Sequence, residues 1–241
     1  MSKNIPIRLL QLYPDDMNIY GDWGNALVLK KRLERRGYDV ELLSYNPGDV
    51  FPDDVDLVVG GGGQDSGQAR IEADLNDIAP KLKTMAEDGV PMLLICGLYQ
   101  LFGHYFQTRE GRRIDGIGIL DVTTVGGNER LIGNIVTKSA EFGEIIGYEN
   151  HSGLTMLGSG AIPFGKILKG AGNNGKDESE GARYINVIGT YLHGSLLPKN
   201  PKVADFLIHQ AIVRKFGDTE LKTLDDQLAV DARRVALKRP R

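Results

Sequence analysis

The sequence predicts an α/β protein built on a single doubly wound, mostly parallel sheet to which antiparallel strands are added. Three observations carry this expectation. Residues 7–12, 24–36 and 40–44 read in turn as strand, helix and strand, and a β-α-β start favours parallel pairing. The apolar runs at 91–95 and 185–192 each end on a reactive residue, as strands meeting one sheet edge do. Beyond Tyr105 the chain breaks into short β-branched segments divided by glycine or charge, such as 117–124 and 131–136, which suit antiparallel or mixed strands.

Taken in order, the first strand stops at Tyr13-Pro14-Asp15-Asp16. In the helix that follows, Leu27, Leu29 and Leu33 alternate with Lys30, Lys31, Arg32, Glu34 and Arg35, and Gly37 supplies a C-cap. A strand at 56–59 runs into Gly60-Gly61-Gly62-Gly63-Gln64-Asp65. Four glycines let backbone N–H groups turn toward an anion without Cβ clashes. No Lys-Ser or Lys-Thr follows, and the GxGxxG spacing is absent, so an oxyanion-binding turn fits better than a phosphate loop. A merely flexible loop is the plain alternative. Residues 68–87 form a long polar helix ended by Gly89.

The next strand, 91–95, stops at Cys96, the single cysteine of the 241 residues, with Gly97 and a helix-like segment after it. Such a corner lifts the thiol onto a tight turn, where the positive helix end favours thiolate. Against this stands a buried cysteine packing as a small hydrophobe. Residues 147–153 read as a polar, glycine-bounded turn and 170–181 as a polar loop. The strand at 185–192 delivers His193, and 202–216 is an amphipathic helix closed by Gly217. Residues 1–217 therefore form one domain and 218–241 a helical, basic tail. Its end, 231–241, carries Arg233, Arg234, Lys238, Arg239 and Arg241 against one acid. That composition suits a solvated, frayed end, or contact with an acidic partner or lipid surface.

Composition narrows the classes. At 41% hydrophobic residues the chain can bury one large core, and a net charge of −3 argues against a broad nucleic-acid footprint. One cysteine excludes an internal disulfide framework and an all-cysteine metal site. No stretch approaches the roughly 18 apolar residues of a membrane span, and the first residues lack a signal-like apolar core. The expectation is a soluble cytoplasmic protein without a transmembrane segment.

A thiolate nucleophile needs a base within hydrogen-bond reach and donors for the oxyanion it creates. Of four histidines, His209 falls inside the last amphipathic helix, and His104 trails Cys96 by about two helical turns. His151 sits in the 147–153 stretch. His193 ends a strand parallel to that of Cys96, on the same sheet edge, and is the expected base. Two residues after it, where an orienting acid is expected, stands Ser195, and no acid occurs from 194 through 204. The third group must be a nonlocal carboxylate, an amide, a backbone carbonyl or part of a partner chain.

Cys96-Gly97-Leu98-Tyr99-Gln100, the glycine turn before it and Gly189-Thr190-Tyr191-Leu192-His193-Gly194 resemble class I glutamine amidotransferases, whose fold is flavodoxin-like. Gly147-Tyr148-Glu149-Asn150-His151-Ser152-Gly153 is similar to the Gly-Tyr-Glu-x-His-x-Gly signature of the cobyric-acid-synthase-like (CobB/CobQ) branch. Within that branch, residues 18–25, 61–65 and 192–200 are similar to the glutaminase subunits of lipid II isoglutaminyl synthases. The resemblance runs from about residue 7 to 216.

It implies a glutaminase that frees ammonia from L-glutamine for a Mur-ligase-like, ATP-dependent partner, which amidates D-glutamate of the lipid II stem peptide to D-isoglutamine. No cofactor is implied in this chain, with ATP and magnesium expected on the partner. The protein is then cytoplasmic and reaches the inner membrane face through partner and lipid substrate. Carried over residue by residue, Cys96 is the nucleophile and His193 the base. Arg130 and Gln100 bind glutamine, the backbone N–H groups of Gly62 and Gly97 stabilise the oxyanion, and no metal is implied. A carboxylate from the ligase subunit is one source of the third group. The sequence departs from the broader class in having Leu94 and Leu98 where elbow glycines are expected. A stand-alone cysteine hydrolase or chaperone of the DJ-1 type shares the strand–Cys–helix corner but needs neither Arg130 nor the 147–153 stretch. A cobyrinate-type amidotransferase is a second alternative; it normally carries a fused ATP-binding domain.

Overall fold

The computed structural model describes residues 5–193, 195–217 and 220–238. Along the chain run β1 (Ile7–Leu12), α1 (Gly24–Arg35), β2 (Val40–Tyr45), β3 (Leu57–Gly60), α2 (Asp65–Glu87), β4 (Met92–Ile95) and α3 (Gly97–Leu101). Next come β5 (Tyr105–Gln107), β6 (Arg113–Asp115), β7 (Val122–Ser139), β8 (Gly143–Leu157), β9 (Gly165–Lys169), β10 (Ser179–Glu180), β11 (Ala182–Tyr184) and β12 (Val187–Thr190). The helices α4 (Leu196–Lys199), α5 (Pro201–Phe216) and α6 (Gln227–Lys238) follow.

The α/β class holds. One sheet has the order β11-β12-β4-β3-β1-β2, parallel throughout except for β11 at its edge. Three of its four inner strands, Leu57-Val58-Val59-Gly60, Met92-Leu93-Leu94-Ile95 and Val187-Ile188-Gly189-Thr190, are buried at every position, as strands covered on both faces are. Helix α5 contributes Val203, Leu207, Ile208 and Ile212 to the core, and α2 contributes Ile71, Leu75 and Leu82. The added strands do not extend this sheet beyond β11. They form a second one, β10-β9-β7-β5-β6, with β8 paired to β7. Its centre is a long β7–β8 hairpin, of which 131–136 is only one part.

Two expectations change. Residues 147–153 are not a turn but the middle of β8, with Glu149, His151 and Gly153 buried on one face and Asn150 and Ser152 on the other. That period-2 burial is a strand signature which the polar residue types concealed. The tail is helical over Gln227–Lys238, as expected, but its end from 231 as far as Lys238 is not frayed and is held against the body. Arg233 donates to Asn200 Oδ1 at 2.8 Å and to the Glu144 carbonyl at 2.8 Å. Ahead of α6, Asp226 and Asp205 both accept from the Arg32 guanidinium. Arg239 and Arg241 lie outside the described residues. Among the described residues no helix is long and apolar enough to cross a membrane.

Candidate active site

The parallel strands β4 and β12 are neighbours, and Ile95 and Thr190 pair at their ends, so Cys96 and the residues leading to His193 leave the sheet side by side. Cys96 itself has φ 51° and ψ −101°, a conformation that a non-glycine residue holds only when its surroundings enforce it. The enforcement is visible. The Cys96 N–H donates to the Thr190 carbonyl at 2.9 Å, and the Cys96 carbonyl accepts from Gln100 N at 2.9 Å. Helix α3 is a single turn of five residues, so the dipole expected behind the thiol is small.

Leu94 and Leu98 fit this elbow because Gly60 makes room for them. A Cβ at Gly60 would stand 2.2 Å from Leu98 Cδ1 and 3.3 Å from Leu94 Cδ1. The glycine that the elbow lacks has its counterpart on the neighbouring strand β3.

His193 is almost fully buried, its N–H donating to the Tyr148 carbonyl of β8 at 2.8 Å. A Cβ at Gly62 would lie 2.8 Å from His193 Cε1 and 3.1 Å from Cys96 Cβ, so imidazole and cysteine converge on one point that only glycine leaves open. His193 Nδ1 lies 3.2 Å from Asp22 Oδ2. Its Nε2 is buried without a hydrogen-bond partner. Burial disfavours the imidazolium. The charge of Cys96, the hydrogen bond to Asp22 and the charge of Asp22 outweigh that and push the pKa up to about 10.

Asp22 is the group that sequence reasoning missed. It is 4% exposed, and its Oδ2 also accepts the Gly62 N–H at 2.9 Å. The 18–25 stretch that carries it is tied to both sides of the site. Ile19 N donates to the Gly62 carbonyl at 2.9 Å, Ser195 Oγ to the Gly21 carbonyl at 2.9 Å, and Leu197 N to Asn25 Oδ1 at 3.0 Å. A nonlocal carboxylate of this chain, one of the expected sources of a third group, therefore faces His193.

The Gly62 bond corrects one expectation. Its N–H is given to Asp22 and is not free to meet an oxyanion. A Cβ on Gly97 would come within 3.0 Å of Gly63 N, so the backbones of Gly97 and Gly63 pass close together next to Cys96, and Gly63 lines the cleft that opens there.

A cleft of about 570 Å³ opens over Cys96, with Gln64, Gln100, Arg130 and His151 among its lining residues. Arg130 lies within the unpaired stretch of β7 between Gly126 and Leu131, and it lines the cleft. There its Nε donates to Asn150 Oδ1 at 2.6 Å and its Nη2 to the Tyr20 hydroxyl at 3.1 Å. Gln100 reaches the cleft floor, but its amide is engaged. Gln68 Nε2 donates to its Oε1 at 2.8 Å, and its own Nε2 donates to the Tyr191 hydroxyl at 3.0 Å. It shapes the floor rather than offering a free amide to substrate. His104 points away and pairs with Asp121 at 2.9 Å. Helix α5 carries His209, and the cleft does not include it.

His151 stacks flat on Tyr191, with centroids 3.5 Å apart. Burial holds it neutral, its pKa down at about 3, with the Gly153 carbonyl bond only partly offsetting. The unfolded chain therefore takes up a proton near pH 6.5 that the folded chain refuses. This contribution to stability is full above pH 6.5 and falls as pH drops toward 3. Glu180, which burial pushes up to about 7, works in the opposite direction between pH 4.5 and 7. Comparison with a variant is thus the clean readout. In urea unfolding between pH 7 and 4, the His151→Gln protein should lose less stability on acidification than the wild type.

A strained cysteine on a parallel strand end, a buried histidine beside it and a carboxylate behind that histidine form the apparatus of a cysteine amidotransferase on this fold. The chain belongs to the CobB/CobQ-like glutamine amidotransferase family, whose domain matches residues 8–201. Among its relatives is the GatD subunit of lipid II isoglutaminyl synthase (glutamine-hydrolyzing) from Staphylococcus aureus. It is 39% identical over 93% of this chain and 92% of that protein. The GatD subunit from Streptococcus pneumoniae is 36% identical over 92% and 87%. A cobyric acid synthase from Brucella anthropi is 32% identical over 65% of this chain but only 32% of its own length. PurLQS from Thermotoga maritima shares the fold, with a TM-score of 0.59 at 17% identity over 87% of this chain and 98% of that one.

Proposed function

We propose that this protein is the glutaminase subunit of a lipid II isoglutaminyl synthase, with Cys96 as nucleophile, His193 as acid and base, and Asp22 as the group that orients His193. The observation that carries the mechanism is the convergence of His193 and Cys96 on Gly62, with Asp22 Oδ2 3.2 Å from His193 Nδ1. Similarity over nearly the full length of two GatD subunits supports the particular reaction.

In this mechanism Arg130 grips the α-carboxylate of L-glutamine, because its fork binds both oxygens. The Cys96 thiolate attacks the side-chain amide carbon, and the backbone N–H groups of Gly97 and Gly63 receive the oxyanion. His193 gives its proton to the departing ammonia, leaving a γ-glutamyl thioester on Cys96. The neutral imidazole then takes a proton from water, whose hydroxyl attacks the thioester, and glutamate leaves. Asp22 keeps Nδ1–H fixed, so that Nε2 is the atom exchanging protons with substrate. Ammonia passes to a Mur-ligase-like subunit of the MurT type that binds ATP and magnesium and amidates D-glutamate of the stem peptide.

Loss of the Arg130 clamp removes a charge-assisted pair worth about 1.5–3 kcal/mol. Steady-state assays of Arg130→Ala should accordingly show the KM for glutamine raised roughly 10- to 100-fold.

The alternative acceptor is a cobyrinate-type acid, given the cobyric acid synthase relatives. Co-purification separates the two. A Mur-ligase-like protein should come down with this chain, and the pair should amidate lipid II with glutamine as donor. A complex that amidates a corrin carboxylate and leaves lipid II untouched would overturn the assignment.

A further inference from the structure

Tyr20 stands at the cleft mouth between the two halves of this site. Its ring and that of His193 pack edge to face, with centroids 4.9 Å apart and planes at 75°. Its hydroxyl accepts the Arg130 Nη2 hydrogen bond at 3.1 Å. Its backbone is held at φ 62°, in the left-handed region that tyrosine rarely occupies, and Gly21 follows at φ 74°. The same short turn thus sends Tyr20 to the outer side of the imidazole and Asp22 to its Nδ1. Yet Tyr20 is 43% exposed, so core burial does not account for its strained backbone.

We infer that Tyr20 is a positioning residue that links the glutamine-clamping Arg130 to the catalytic imidazole. Its hydroxyl fixes the guanidinium over the cleft, and its ring screens His193 from solvent. The inference rests on the glutaminase reading, and it has two separable parts. In an edge-to-face pair the positive edge of one ring meets the negative face of the other, and with the imidazole as the edge the Tyr20 face favours the charged form, here the imidazolium that protonates ammonia. The hydroxyl acts only on Arg130.

The groups facing the imidazole are Cys96 from the β4–α3 corner, Asp22 from the same turn as Tyr20, and His151 from β8. Lys199 of α4 acts on Asp22. Removing the ring leaves all of these in place, so any change in the histidine's proton affinity reports on Tyr20.

The test compares Tyr20→Phe and Tyr20→Leu in the full-length chain with its ligase partner. Tyr20→Phe should raise the KM for glutamine about fivefold and leave the pH profile of Cys96 alkylation by iodoacetamide where it is. Tyr20→Leu should raise KM similarly, lower kcat about tenfold, and move the alkylation profile toward higher pH by about half a unit. Alkylation needs no glutamine turnover. An inactive wild type would therefore count against the glutaminase reading while the profile still reports on Tyr20. Wild-type KM in Tyr20→Phe, or a wild-type alkylation profile in Tyr20→Leu, overturns the inference.

Discussion

Replacing Cys96 with alanine should abolish glutamine-dependent amidation by the assembled enzyme, a fall of at least about 10³-fold, while amidation driven by added ammonium salt continues. Removing a nucleophile from a catalytic unit costs almost everything the unit provides, because the remaining members have nothing to act on. Added ammonia bypasses the chain's contribution, since the proposed amide-forming step lies on the partner. Folding is not expected to be lost, because alanine is smaller than cysteine and the left-handed strain at φ 51° is unchanged. The measurement is product formation with glutamine and with ammonium as donors, side by side. Glutamine use retained in the variant would sink the nucleophile assignment.

The second large effect is expected at Asp22. Asparagine in its place keeps the shape, but no longer offers one anionic oxygen to both His193 Nδ1 and the Gly62 N–H. The amide can also present N–H to Nδ1, which favours the wrong tautomer of the imidazole. Loss of an orienting carboxylate lowers kcat by roughly 10²- to 10⁴-fold in enzymes of this kind. The imidazolium also loses two of the influences that push its pKa up to about 10, so His193 should give up its proton at lower pH in the variant. Steady-state kinetics across pH 6–10 check both statements. A partner-supplied carboxylate as the sole orienting group predicts near-wild-type kcat in Asp22→Asn.

How much of this was legible in the sequence follows from where each signal lies. The strands β3 and β4 showed as apolar runs because both their faces are buried. Cys96 and His193 were found because strand ends on one edge of a parallel sheet converge. Asp22 was not, because it meets His193 across 171 residues of sequence and no local pattern marks that pairing. Its position in the 18–25 stretch was a clue only to relatedness. The same contact explains the Gly62 error: a glycine-rich turn announces free N–H groups, but the sequence does not say that one is already taken by a carboxylate. The 147–153 stretch was misread because glycine at both ends and polar residues between them imitate a turn, while pairing to β7 along its whole length makes it a strand. For Gln100 a substrate role is implied only by the resemblance to the family's glutamine four positions after the nucleophile, and that likeness carries no information about Gln68 and Tyr191, which occupy its amide.

The central claim is that Cys96 is the nucleophile and that this chain's own His193 and Asp22 activate it. Its most direct test is mass spectrometry of the complex after treatment with the glutamine analogue 6-diazo-5-oxo-norleucine. The account predicts one covalent adduct on the wild-type chain, mapped to Cys96, none on Cys96→Ala, and much slower labelling of His193→Ala and Asp22→Asn. Labelling of Cys96→Ala at the wild-type rate, or wild-type labelling rates in both His193→Ala and Asp22→Asn, would contradict it.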